Sequence, residues 1–139
     1  MNGEAAGVKF EGGCHCGAVH FEVAAPSKWC AHCHCESCRR YHGAGYVTWA
    51  GFDVRGFRVT RGEDALRWYE SSRDAERGFC GLCGSSMLFR SERSPGEMHI
   101  ALGSLDGAID RAPQAHVFFD THVDWVAIDR ELPIHRPND

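Results

Sequence analysis

A mainly β domain is what this chain predicts. Three features point to it: short alternating apolar runs, turn-like glycines between them, and cysteines gathered in tight groups. The sixteen Gly residues are spread along the whole length, a pattern of short strands joined by tight turns. Residues 8–11 read as the first strand, closed by Gly12 and Gly13. Residues 18–24 alternate, with Val19, Phe21 and Val23 on one face and His20 and Glu22 on the other, which is the pattern of a half-buried strand. Pro26 and Ser27 break it. Residues 36–42 can form two helical turns stopped by Gly43, and they are the one helix predicted. Further strands follow at 46–50, 57–60, 66–70, 77–80, 87–90 and 98–102, separated by turn residues. Residues 115–119 and 125–128 complete the core as strands or a short helix, and Leu132-Pro133 opens a loose polar tail.

Composition narrows the function classes. A chain of 139 residues that is 43% apolar suits a single domain spanning 1–139. No apolar run reaches the length of a transmembrane helix. The opening MNGEAAGVKFEGG has one late Lys and no apolar core, so an export signal is not expected and the cytoplasm is the expected compartment. A formal net charge of −4 makes nucleic acid and anionic membranes poor partners. Thirteen Arg stand against two Lys, Lys9 and Lys28, and Arg is the residue that grips carboxylates with two hydrogen bonds.

Eight Cys in a chain of this length fall short of a disulfide scaffold, and in a reducing compartment clustered Cys bind metal or do chemistry. They form three groups: Cys14-His15-Cys16, then Cys30 to Cys38, then Cys80-Gly81-Leu82-Cys83-Gly84. Two-residue spacing with a trailing Gly is a metal knuckle, and in an extended segment residues i and i+2 share a face. Cys14, Cys16, Cys80 and Cys83 are therefore assigned to one four-sulfur zinc site. In the middle group, Cys33, Cys35 and Cys38 can surround a second ion. If Cys30 closes that shell the site is structural; if it does not, an exogenous ligand can enter. Trp29-Cys30-Ala31-His32-Cys33 also reads like the W-C-x-x-C motif of dithiol oxidoreductases, but the strand that normally precedes that motif is missing from this reading.

Several segments together resemble one known family. They are Gly13-Cys14-His15-Cys16-Gly17, Cys33-His34-Cys35-Glu36-Ser37-Cys38-Arg39-Arg40, Phe79-Cys80-Gly81-Leu82-Cys83-Gly84-Ser85, Leu102-Gly103-Ser104-Leu105-Asp106, His116-Val117, Trp125 and Leu132-Pro133. In order and spacing this pattern is similar to the glutathione-dependent formaldehyde-activating enzymes, which include centromere protein V, over residues 10–134. The resemblance implies a β-tent fold of small antiparallel sheets with zinc at their junction. It also implies two zinc ions per chain, a structural one on Cys14, Cys16, Cys80 and Cys83 and a catalytic one on Cys33, Cys35 and Cys38. Cys30 is not part of the pattern.

The activity implied is that of a carbon–sulfur lyase, condensing a small-molecule thiol such as glutathione with formaldehyde or another small carbonyl compound. The chemistry suits the ligands, since a free thiol has a pKa near 8.5 and metal coordination deprotonates it. Arg39 and Arg40 follow the third ligand and are candidates to hold the thiol's carboxylates, with a surface ion pair as the alternative. His32 and His42 are candidate proton carriers, while His15 and His34 point away from metal in an extended segment. The competing reading is a non-catalytic zinc-binding interaction module, which the acidic chain and its lack of basic extensions disfavour. Oligomeric state is not readable from the sequence.

Overall fold

Alternation decides the first sheet. Val19, Phe21 and Val23 are completely buried, and the latter two lie in strand β2 (His20–Ala24). It pairs antiparallel with β1 (Lys9–Gly13) and β5 (Phe57–Arg61), giving a three-stranded sheet of order β1-β2-β5. Its solvent face carries Glu22, which accepts from Lys9 at 3.0 Å and Arg58 at 2.9 Å. Full burial of each apolar side chain contributes about 1.5–3 kcal/mol, so this face anchors the sheet to the core shared with Cys30, Ala50, Phe52, Met87, Leu88, Met98 and Ile100. The protein is seen here as a computed structural model that describes residues 7–128 and 131–137.

The second sheet has seven strands. They are β3 (Trp29–Cys33), β4 (Val47–Asp53), β6 (Leu66–Ser72), β7 (Ala75–Cys80), β8 (Ser86–Ser91), β9 (Glu97–Ala101) and β10 (His116–Val117), in the order β10-β3-β4-β9-β8-β7-β6. All neighbours are antiparallel except β10 and β3. The architecture is mainly β, as expected, and built of two sheets. Helix α1 (Glu36–His42) falls where predicted: Cys35 caps its start, and Gly43 closes it with a left-handed turn. Among the described residues no helix is long and apolar enough to cross a membrane.

One strand lies outside the segments expected, and two expectations are corrected. Residues 29–33 form a strand between β4 and β10, although Cys, His and Ala give little β signal. Residues 125–128 form neither strand nor helix; Trp125 and Val126 instead lie over Gly45, where an added side chain would meet them. The tail is not loose. Ile134 bridges to His116, and the His116 N–H donates to the Pro133 carbonyl at 2.8 Å while the His135 N–H donates to the His116 carbonyl at 2.7 Å.

Candidate metal centres and their cavity

Two turns meet at the four-sulfur site. The segment after β1 brings Cys14 and Cys16, and the β7–β8 turn brings Cys80 and Cys83; the four sulfurs lie within 4.8 Å of one another. Zinc–sulfur bonds of about 2.3 Å place tetrahedral sulfurs about 3.8 Å apart. The Cys14–Cys16 and Cys16–Cys80 sulfur separations are 3.6 and 3.8 Å. The backbone completes the fit. Leu82 and Cys83 donate N–H groups to the Cys80 sulfur at 3.3 and 3.4 Å, and Val19 donates to that of Cys14 at 3.2 Å. Gly84 has φ +83°, a twist that favours glycine, and its N–H donates to the Cys80 carbonyl at 2.8 Å. Hydrogen bonds from the Ser85 hydroxyl and backbone, with one from the Cys16 N–H, pull Cys83 down to about 5. These donors stabilise sulfur as thiolate, the form that binds metal.

The second group is built from one strand end and one helix start. Cys33 ends β3, Cys35 caps α1 with its sulfur accepting from the Cys38 N–H at 3.3 Å, and Cys38 sits one turn into the helix. Their sulfurs also lie within 4.8 Å of one another, and no fourth His, Cys, Asp or Glu joins them among the described residues. Crowded sulfurs share negative charge poorly. Hydrogen bonds from Cys33 and Cys38 hold Cys35 down to about 2, while Cys35 and Cys38 push Cys33 far above the usual thiol range. A divalent cation is what lets all three ionise together.

Arg77 supplies the other half of the electrostatics. It is only 4% exposed, and its Nη1 and Nη2 lie 3.6 and 3.7 Å from the Cys38 sulfur, with Nη2 donating to the Ser37 hydroxyl at 3.2 Å. The guanidinium packs 4.9 Å from the Phe89 ring and 5.4 Å from that of Tyr41. A buried guanidinium is costly without an anion, and a thiolate cluster is the anion it faces. Three thiolates around a divalent cation carry one net negative charge, which Arg77 offsets. Arg77→Met keeps the apolar stem between the two rings and removes the charge. We expect the trio's metal affinity to fall about 10–100-fold, read by competition with a chelator; unchanged affinity would remove Arg77 from this role.

Cys33, Cys35 and Cys38 line one cavity of about 550 Å³, together with Arg77, Trp49 and Phe89 among others, and among the described residues no Asp or Glu lines it. Cys30 does not reach it. The pleat turns Cys30 to the opposite face of β3, into the core, where it is 1% exposed and burial raises its pKa. It therefore does not close the shell of the trio. The same pleat sets Cys30 and Cys33 on opposite faces of β3, so the two sulfurs do not face each other, which removes the dithiol reading.

The other candidates are placed differently from expectation. Arg39 donates to the His34 carbonyl at 3.4 Å and Arg40 pairs with Glu36 at 3.1 Å on the open face of α1, so neither lines the cavity. Among the described residues the cations there are Arg77 and the exposed Arg93. His32 lies on the far face of β3, 2.8 Å from the Thr48 hydroxyl. His34 is buried with its Nε2 2.9 Å from His116 Nδ1. His42 packs edge-on against Trp49 and is outside the cavity lining, and burial, with Arg77 nearby, pulls it down to about 4. His15 donates its backbone N–H to the Ser85 hydroxyl at 2.9 Å, which ties the two turns of the four-sulfur site together.

The family model described as glutathione-dependent formaldehyde-activating enzyme matches residues 9–121. A Halomonas elongata protein provisionally named a glutathione-dependent formaldehyde-activating enzyme is 32% identical over 127 residues, 86% of this chain and 80% of its own length. A Schizosaccharomyces pombe protein named an uncharacterised lyase is 31% identical over 81 residues, 58% of this chain and 57% of its own. A crystal structure of a Rhodobacter sphaeroides protein, 32% identical, superposes with a TM-score of 0.61 over 73% of this chain and 92% of that one.

Proposed function

Since the chain belongs to the glutathione-dependent formaldehyde-activating enzyme family, we propose that it is a carbon–sulfur lyase that joins a small-molecule thiol to a small aldehyde and reverses that step. Glutathione and formaldehyde are the pair the family name supplies. The observation that carries this reading is the sulfur trio opening on a cavity without a fourth protein ligand among the described residues. A purely structural ion has no use for such a cavity, which favours the enzyme over a non-catalytic zinc module.

Cys33, Cys35 and Cys38 would hold zinc, whose charge keeps a neighbouring thiol sulfur deprotonated at neutral pH. Cys14, Cys16, Cys80 and Cys83 would hold the structural ion and fasten the β1–β2 loop to the β7–β8 turn. Arg77 offsets the surplus negative charge of the trio, so that a further anionic sulfur can approach. Trp49 and Phe89 wall the cavity and exclude water from the forming bond. The balance is simple: the thiol loses its proton, sulfur attacks the carbonyl carbon, the C=O π pair moves to oxygen, and oxygen takes up a proton.

Two measurements test the reading on zinc-loaded protein. Elemental analysis should find two zinc ions per chain. Exchange spectroscopy on a mixture of glutathione and formaldehyde should show S-hydroxymethylglutathione forming and breaking faster than in buffer. Exchange at the buffer rate, with this pair and with other small thiols and aldehydes, would overturn it.

A further inference from the structure

The cavity has a second end. Along β3, Cys33 and Trp29 are four residues apart, which is about 13 Å of strand. Trp29 and His99 are aligned across the sheet through Gly51, which pairs with both. The sulfur trio therefore stands at one end of the cavity and His99, with Trp29, at the other. Ala31 and Trp49 line the stretch between them, and Phe89 stands opposite His99 in register.

The far end is an ordered polar group. His99 is 8% exposed. Its Nε2 lies 2.9 Å from Glu97 Oε1, and the same oxygen accepts from the Trp29 indole N–H at 3.2 Å. Lys28 stands 3.8 Å from Glu97 Oε2. The indole reaches Glu97 because Gly51 lies beneath it; any side chain there would collide with the ring. The imidazole is held edge-on to Trp29, with centroids 4.7 Å apart, and lies 5.5 Å from Phe89.

This arrangement sets the tautomer. An ionised carboxylate only accepts hydrogen bonds, so His99 Nε2 must carry the proton. Burial holds the ring below the usual histidine range, so it stays neutral and Nδ1 keeps its lone pair. Among the described residues nothing hydrogen-bonds to that nitrogen. An acceptor of this kind on a cavity wall selects a donor, such as a hydroxyl or an amide N–H. Among the described residues the lining has no acid and carries Arg77 and Arg93, so an ammonium group at the His99 end would enter without a counter-charge, and unpaired charge there is costly.

We propose that His99 is a specificity-determining residue, and that the cavity takes an elongated thiol with an uncharged hydrogen-bond donor at its far end. The sulfur sits at Cys33, Cys35 and Cys38, the body runs along Ala31 and Trp49, and the terminal donor meets His99 Nδ1. Glu97 is a positioning residue that acts through the ring. The inference rests on the carbon–sulfur reading above for the reaction, but the ligand preference can be measured without turnover.

The probes are 6-mercaptohexan-1-ol, hexane-1-thiol and glutathione, each titrated into zinc-loaded protein. Binding is read from quenching of cavity tryptophan fluorescence, and turnover with formaldehyde is read separately. 6-Mercaptohexan-1-ol should bind the wild type at least about threefold more tightly than hexane-1-thiol. In His99→Leu the affinity of the hydroxyl probe relative to hexane-1-thiol should fall about tenfold, the cost of a donor left without its acceptor. His99→Gln, which can still accept, should keep the wild-type ratio, and that separates recognition from a packing defect. Hexane-1-thiol binding as tightly as the hydroxyl probe, or an unchanged ratio in His99→Leu, overturns the proposal. Preferential binding with no reaction of any probe supports this ligand class and overturns the lyase reading instead.

Discussion

Cys80→Ser should cost the protein most of its fold stability. Cys80 is fully buried at the end of β7, and its sulfur gathers two backbone N–H donors and lies 3.8 Å from that of Cys16. Structural zinc sites contribute roughly 10–16 kcal/mol on binding, while a whole domain is stable by only about 5–15 kcal/mol. A hydroxyl is a far harder ligand than a thiolate and holds zinc poorly. Losing even about 5 kcal/mol should lower the melting midpoint by at least about 15 °C, and the zinc content should drop from two ions to one or fewer. Cys30→Ser is the matched control. That thiol is equally buried, in the same core, but belongs to neither sulfur group. It should leave two zinc ions and cost only the burial of a polar atom, about 1–3 kcal/mol. A Cys80→Ser protein that melts with the wild type and keeps both ions would mean the four sulfurs do not fasten the sheets.

The fold was legible where side-chain chemistry is periodic. The alternation at Val19, Phe21 and Val23, the Gly43 stop after α1 and the turn glycines all act within a few residues, so a linear reading can weigh them. Strand β3 escaped because its five residues WCAHC carry motif chemistry rather than β-branched side chains, and its strand character comes from β4 and β10 on either side. The tail differs for a related reason: Pro133, Ile134 and His135 show no periodic pattern, and they are ordered by backbone hydrogen bonds to β10 and to Phe119, which no side-chain pattern reports.

The site divides along the same line. Both sulfur groups could be found because their ligands are close in sequence or form a recognisable knuckle. Arg77 and His99 could not. Each belongs to the cavity only through sheet register, with Arg77 opposite Phe89 and Phe89 opposite His99, and register is a long-range property. Arg39 and Arg40 show the converse error. Adjacency to Cys38 suggested a role, but on a helix the next two residues turn through about 200° away from it, and Glu36 holds Arg40 on the outer face.

Cys35→Ser should abolish catalysis while leaving the fold almost untouched, because position 35 has two separable tasks. One is to cap α1: the Cys35 sulfur accepts the Cys38 N–H at 3.3 Å. Serine is among the best residues for that task, so the helix keeps its start and the melting midpoint should stay within a few degrees of wild type. The other task is to be one of three soft ligands on the cavity wall, and here the hydroxyl fails. Zinc should fall to one ion per chain, the one retained belonging to Cys14, Cys16, Cys80 and Cys83. A site that supplies several kcal/mol of charge stabilisation loses at least about 10³ in rate without it, so the excess over the spontaneous thiol–aldehyde exchange should vanish. The pairing of intact fold, single zinc and lost exchange is what distinguishes an enzyme from a zinc-stabilised interaction module, in which the same substitution would change metal content alone. Exchange that persists at the wild-type rate in a one-zinc Cys35→Ser protein would move the reaction, if there is one, away from the trio.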